Sequence, residues 1–387
     1  MDFCAIISEF NPFHNGHEYL IKEAKRQTGL PIMCLMSGDF VQRGEPAIVD
    51  KYTRALCAIN AGADIVAQLP AVYSLSSAEN FAKGAIKALK DLGCTTIAVG
   101  ATHTNMQDYE QLAKIKNSNI ASAMQEELEK GNNYSSALIN VLASKFPASR
   151  NIFSDGSNIL ALEYIHQIYL QKANIKVLLI KRTDGGYNSN TMQEKYANAT
   201  VIRTLAKTGK IEQCKKYMPA FAYEHFKVLS ATALDNILIY ELRKKTPEEL
   251  AKYQDYSEGL PYLISSAVQN NNNLQTALNE ACSKRYRLPR IKKLFLYPAL
   301  NITRDNFDKI VAGKSVCKLL AIRKTAKQFL NEFNKRSIKL IVSKRDIDDL
   351  SPAQKLSAKI DLDASNLYAI ATNGKFNGDI TTGTLFC

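Results

Sequence analysis

The chain predicts an α/β protein, a parallel sheet covered by helices on both faces, followed by a mainly helical and strongly basic region. Three observations predict this. Over the first 200 residues short apolar runs alternate with longer amphipathic ones, and strand–helix–strand repetition folds as right-handed crossovers in a parallel sheet. Beyond about Lys210 the strand signals fade and helical patterns dominate. Basic residues also concentrate late. Between residues 281 and 345 stand 18 Lys and Arg against three acids, Asp305, Asp308 and Glu332.

The expected strands are residues 3–7, 32–36, 65–69, 96–99 and 177–180, each a short apolar run. The first four end in small or polar residues: Ser8-Glu9, Ser37-Gly38, Pro70 and Gly100. Helical spacing of apolar residues is expected at 18–26, 51–61, 78–92 and 158–171. Ligands of such sheets bind beyond the carboxyl ends of the strands, so the strand endings are the first place to look for a site. Residues of about 105–150 show helical patterns without an obvious strand and read as a helical insertion. Further helices are expected at 247–253, 274–286 and 352–360, and an apolar run returns at 338–342. QNNNN, from Gln269, reads as a loop. The expected division is 1–210 and 211–387, with the insertion inside the first part.

At 387 residues and 46% hydrophobic content there is material for a substantial core. No apolar run approaches the roughly 18 residues that cross a bilayer, so no membrane partner is expected. The start, MDFCAIISEF, carries an acid where a secretory signal carries basic residues. Eight scattered cysteines without C-x-x-C spacing read as reduced thiols, and the protein as cytoplasmic. Net charge is +13, of which +15 lies in residues 281–345, leaving the rest near balance. A localised basic surface suits a polyphosphate such as RNA, because each neutralised phosphate releases counterions.

The stretch EFNPFHNGHEYLIKEAK, residues 9–25, places His14 and His17 between the first strand and the first helix. Free N–H groups and the positive dipole end of that helix face the loop. Gly16 removes a side chain, and residues three apart share a helical face, so both rings can address one anion. Imidazole N–H groups aimed at an α-phosphate would stabilise charge as the phosphorus is attacked. Zinc is the poorer reading: its helical pairs stand at i, i+4 around a glutamate, whereas Gly16 intervenes here and no third ligand is near in sequence. No G-x-G-x-x-G follows the first strand, and Asp308 stands where a P-loop before Gly313-Lys314-Ser315 needs glycine.

His14-Asn15-Gly16-His17 resembles the H-x-G-H signature of the nucleotidyltransferase superfamily shared with class I aminoacyl-tRNA synthetases. EFNPFHNGH, MSGDFVQRGEPAIVDKYTRA (36–55), NILALEYI (158–165), IKRTDGGY (180–187), ATVIR (199–203) and SKRYRLPRI (283–291) occur in that order. Together they are similar to bacterial tRNA(Met) cytidine acetate ligases. The resemblance implies a Rossmann-like nucleotidyltransferase domain of the HIGH type. It also implies a two-step reaction, in which ATP and acetate give acetyl-adenylate and pyrophosphate, and the acetyl group then passes to N4 of the wobble cytidine of elongator tRNA(Met). On the family pattern Ile7, Ser8, Glu9, Phe10, Asn11, Pro12, Phe13, Asn15, Gly16 and Leu20 would wrap ATP, with His14 and His17 on its phosphates. Gly100, Asn158 and Arg182 would complete the pocket.

The residues make sense of this independently. Arg182 follows a strand, where its fork can hold phosphate or carboxylate. Thr200 and Arg203 open a helix and could reach the β- and γ-phosphates. Lys51 and Arg54 share a helical face and read as structural. Glu9 and Asn11 are candidates for the ribose or for Mg2+, the expected counter-ion of ATP, and the metal ligands stay unassigned. Lys284, Arg285, Tyr286, Arg287, Arg290, Lys292 and Lys293 mix cations with a ring that could stack on an unpaired base, as RNA binding needs. Around the proposed site the chain departs from the family pattern. It has Ala101-Thr102-His103 after Gly100 where Ser-Glu is usual, Ser154-Asp155-Gly156-Ser157-Asn158 where Ser-Pro-Asn-Asn is usual, and Tyr187-Asn188 where Tyr-His is usual. Two rival readings account for parts of the sequence. A small-molecule adenylyltransferase of coenzyme biosynthesis would leave the +15 segment unexplained, and a non-catalytic RNA-binding protein would show no pyrophosphate chemistry.

Overall fold

In the computed structural model, which describes residues 1–182, 195–230, 232–336 and 338–387, the five expected strands all form. They are β1 (Cys4–Ser8), β2 (Ile32–Ser37), then, after a short antiparallel ribbon of β3 (Phe40–Val41) and β4 (Glu45–Pro46), β5 (Ile65–Leu69), β6 (Thr96–Ala101) and β7 (Lys176–Lys181). All five pair in parallel in the order β5-β2-β1-β6-β7. Successive side chains point to opposite faces: Phe3 and Ala5 join one core cluster, Cys4 and Ile6 the other. Helix α1 (Asn15–Thr28) packs Ile21 and Ala24 on the second face. Helices Ala78–Leu92 and Gly156–Leu170 cover the first. Residues of the expected insertion form helices Met106–Lys116, Ala121–Glu129 and Tyr134–Lys145.

Helices dominate from Ala199–Lys207 to Arg304–Ala312, and the chain then returns to the same sheet. β8 (Val316–Ile322) runs antiparallel beside β5, and β9 (Lys339–Ile341) and β10 (Leu385–Phe386) pair with β8. Only the run at 338–342 was expected as strand-like. β8 is hidden in the sequence by Lys318, its third residue, yet all seven of its residues are buried, and Lys318 is neutralised by Asp379 at 2.7 Å. The helix expected over 274–286 stops at Ala281. The chain turns there and Pro289 starts a new helix, Leu288–Leu296, whose first turn has no use for the N–H that proline lacks. The helix after Ser351 runs on to Thr372. No described helix is long and apolar enough to cross a membrane.

Two buried cations tie the sheet's carboxyl side together. Arg54, on helix α2 (Lys51–Asn60), donates to the carbonyls of Val49 (2.9 Å), Glu9 (2.7 Å), Ser37 (3.0 Å) and Gly38 (2.5 Å), bridging the ends of β1 and β2. Lys51, 1% exposed, pairs with Asp39 at 3.0 Å and with Asp379 at 2.6 Å.

His166 is different, because it is 4% exposed and among the described residues neither ring nitrogen has a hydrogen-bond partner. Burial, aided by nearby Lys116, pushes its pKa down to about 4. The unfolded chain therefore binds a proton that the folded one refuses, and stability present above the ordinary histidine pKa is lost as pH falls toward 4. Between pH 7.5 and 5 this group should cost about 2 kcal/mol. Urea unfolding of wild type and His166→Phe at both pH values checks it: the variant should be the more stable at pH 5, and a constant difference would refute the assignment.

Candidate nucleotide site

The connections from β1 lead first to β2 and β5 on one side and later to β6 and β7 on the other. This reversal opens a crevice at the carboxyl ends of β1 and β6, the place where such sheets bind ligands. A cavity of about 160 Å³ lies there. It is lined by Ile7, Ser8, Glu9, Phe10, Asn11, His14, His17, Leu20, Gly100, Arg182, Thr200 and Arg203, twelve of the residues singled out in the sequence. A smaller recess adjoins it, lined by His14, Gly16, His17, Gly100 and Arg182 among others.

The two histidines form the cap of α1. His14 Nδ1 accepts the Gly16 N–H at 3.1 Å, and His17 Nδ1 accepts the His14 N–H at 3.3 Å, a reciprocal capping box. A ring that accepts at Nδ1 carries its hydrogen at Nε2, so the backbone sets the tautomer of both. The rings stack with centroids 3.7 Å apart, and Phe10 and Phe13 flank His17 at 4.9 and 5.6 Å. Burial, followed by the fields of His14 and Arg182, holds His17 well below its ordinary pKa. It is a neutral N–H donor at the N-terminus of a helix, suited to a phosphate oxygen without proton transfer.

Other groups are fixed by the protein itself. Glu9 accepts the Gln42 N–H at 2.8 Å, and burial raises its pKa. Arg203 donates to the Asn11 carbonyl (2.7 Å) and to Thr200 Oγ1 (3.0 Å), which locks the Ala199–Lys207 helix against the β1 loop. Gly100 faces Leu20 and Arg182, and a Cβ there would meet Arg182 Cγ only at 3.5 Å. The protein therefore has room for a methyl group at Gly100, and it is on the cavity side that glycine gives the closer approach.

Four residues expected around ATP stand behind the cavity. Asn158 is wholly buried. Its side chain accepts the N–H groups of Thr102 (2.9 Å) and His103 (3.2 Å) and donates to Thr102 Oγ1 (2.8 Å), so it shapes the loop after β6. Asn15 donates to the carbonyls of Lys195 (2.8 Å) and Lys216 (3.0 Å). Pro12, after a cis peptide bond, and Phe13 are buried in the turn before His14. Asn11 lines the cavity, and its Oδ1 accepts the buried Ile48 N–H at 2.9 Å, which fixes the orientation of its side chain. Thr183 to Tyr187 and Asn188 lie outside the described residues.

Sequence reasoning missed Gln42, Ser157, Tyr164 and Asn198, which also line the cavity. Gln42 stood within MSGDFVQRGEP, and Asn198, whose side chain accepts the Val201 N–H, immediately precedes ATVIR as a helix cap. Tyr164 stood within NILALEYI, where it reads as one more apolar position on its helix.

The basic segment is partly committed elsewhere. The Tyr286 ring is 9% exposed, its hydroxyl donates to Glu258 at 2.8 Å, and Arg285 and Arg290 lie over it. It is not presented as a stacking platform for a base. Arg290 donates to the Asp255 carbonyl and to Ser257 Oγ, both at 3.2 Å. Lys293 donates to the Ser76 carbonyl at 3.0 Å, and burial pulls its pKa down to about 8. Lys292 pairs with Glu45. Lys284, Arg285 and Arg287 are exposed, and keep the character of phosphate-holding side chains.

The sheet, the switch point and the paired histidines define an enzyme of the nucleotidyl-transfer class, and the HIGH Nucleotidyl Transferase family profile matches residues 1–381. The chain belongs to this family and, within it, to the tRNA(Met) cytidine acetate ligases. Relatives so named include one from Thermoanaerobacter sp., 33% identical and covering 96% of each chain. Another, from Clostridium novyi, is 31% identical over the whole of both chains. A third, from Acetivibrio thermocellus, is 30% identical over 96% of this chain and 95% of its own. Two crystal structures of Thermotoga maritima TmcAL share the fold. One is bound with alpha-thio ATP, with TM-score 0.90 and 23% identity, and the other is the apo form, with TM-score 0.92 and 24% identity. Each covers this whole chain.

Proposed function

We propose that this protein is an ATP-dependent ligase that activates acetate and acetylates N4 of the wobble cytidine of elongator tRNA(Met). The observation that carries the reading is the pair of histidines capping α1 at the mouth of the switch-point cavity, in a chain whose full-length relatives bear that name. An acetate oxygen attacks the α-phosphorus, the bond to the bridging oxygen breaks, and pyrophosphate leaves. His14 and His17, with Arg182 and Arg203, supply fixed donors and charge where the phosphates gain negative charge. The cytidine amine then attacks the acetyl carbon, the carbon–oxygen bond to AMP breaks, and one N4 proton passes to water.

Among the described residues no three His, Cys, Asp or Glu side chains converge as a metal cage, and Glu9 is the one carboxylate lining this cavity. Magnesium fits as the counter-ion of the phosphates, where it would neutralise the leaving pyrophosphate. The exposed cations of the basic segment are assigned to the RNA backbone. All eight cysteines are free, which suits a reducing cytoplasm.

Acetate-dependent exchange of labelled pyrophosphate into ATP tests the first step, and acetyl transfer to tRNA tests the second. Exchange without added tRNA is expected. Exchange with some other acceptor acid and not with acetate would overturn the acyl assignment, and RNA binding without any exchange would support a non-catalytic protein.

A further inference from the structure

A second cavity of about 510 Å³ is lined on one side by Gly44, Glu45 and Pro46 of the β3–β4 ribbon. Neighbouring residues of the same elements line the two cavities, and the field of Arg203 in the first reaches Glu45 in the second. Gln42 lines the nucleotide cavity and Gly44 and Glu45 line the second. Arg203 lines the first and Lys207, one helical turn on, lines the second. The ribbon is held firmly. Gly44 has φ +72°, and a Cβ there would come within 2.7 Å of the Lys293 backbone nitrogen, so the ribbon sits directly on helix Leu288–Leu296. The floor is apolar, with Leu278 and Phe295, and the rim carries Glu45, Lys207, Lys292 and Gln275.

We propose that this second cavity receives the acceptor cytosine of the RNA, with Glu45 accepting a hydrogen bond from its exocyclic amine. This rests on the ligase reading above. The attacking amine must come within about 3–3.5 Å of an acetyl carbon attached to the α-phosphate, so its site must adjoin the nucleotide cavity. The cavity beside β8 and β9, of about 270 Å³, shares no element with the nucleotide site. A nucleobase has two apolar faces and a polar edge, matching an apolar floor with a charged rim. Cytosine offers an amine donor at its edge, which a carboxylate accepts; uracil offers a carbonyl oxygen there, which a carboxylate repels. Burial raises the pKa of Glu45, but its bond to Lys292 and the fields of Lys292, Lys207 and Arg203 outweigh this and leave it lowered, hence an ionised acceptor. Lys207 on the same rim suits a flanking phosphate.

The test uses the full-length protein with two variants: Gln275→Trp, which changes an exposed rim residue to fill the opening, and Glu45→Gln, which keeps shape and removes the charge. Acetate-dependent exchange and transfer to transcribed tRNA(Met) are measured for each, with the same tRNA carrying uridine at the wobble position as control. The ratio of transfer to exchange should fall at least ~10-fold in both, the value of one well-formed hydrogen bond to a charged group. An unchanged ratio in both variants would overturn the cavity assignment and leave the ligase reading standing. Equal loss of exchange and transfer would also overturn it, because the cavity would then not be separate from the adenylation site. Absence of acetate-dependent exchange in the unaltered protein is a different failure, and would bring down the ligase reading together with this one.

Discussion

His17→Ala is expected to slow acetate-dependent pyrophosphate exchange by at least ~100-fold, the usual consequence of deleting one fixed donor to transition-state charge. The fold should persist. The lost interaction is the bond from His14 N–H at 3.3 Å, and losing a cap costs about 1 kcal/mol, a drop of a few degrees in thermal midpoint for a protein of this size. Exchange rate and calorimetric midpoint measured on one preparation separate the two effects, and near-normal exchange would remove His17 from the mechanism. The proton state of the ring adds a second readout. Because burial holds its pKa well below the ordinary value, the ring stays neutral across pH 6–7. The exchange profile should therefore show no acid limb near the ordinary histidine pKa that disappears in the variant.

Arg54→Met should be among the most destabilising single changes, by about 3–5 kcal/mol in urea unfolding, because each buried acceptor left without its donor costs about 1–3 kcal/mol. Methionine approximates the volume and donates nothing, so the carbonyls of Glu9, Ser37, Gly38 and Val49 lose their shared partner. The Glu9 carbonyl belongs to the loop that lines the nucleotide cavity, so exchange should fall even where the variant remains folded. A change of under 1 kcal/mol would show that water can replace the guanidinium there.

These two positions also show what the sequence could and could not disclose. The five parallel strands were legible because each is a short apolar run between helical patterns, and the strand endings pointed to the crevice. His14 and His17 were legible as a pair aimed at an anion. Their reciprocal capping was not, since Nδ1 and Nε2 have no separate signature in a letter code. Arg54 was readable as structural, though nothing local named its four carbonyl partners. β8 was hidden because its one charged member, Lys318, is neutralised by Asp379, 61 residues away. Tyr286 looked like a solvent-facing ring among cations, but it packs into the main core cluster and its hydroxyl donates to Glu258, 28 residues earlier. Asn158 was legible as a residue near the strand endings, but not its bonds to Thr102 and His103, which organise the loop after β6. Pairings across such distances leave no periodicity to read.

The placement of β8 has a consequence for how the protein is made. A ribosome that has reached residue 210 has already produced all the described groups that line the nucleotide cavity. The outer edge of β5, Ile-Val-Ala-Gln-Leu and entirely buried in the finished fold, still lacks its neighbour until residues 316–322 emerge. During that interval the nascent chain exposes an apolar strand edge, the kind of template on which chains pair with one another. Fragments ending near residue 210 should therefore precipitate on expression, and the growing polypeptide has reason to be escorted by a chaperone until its last third is complete.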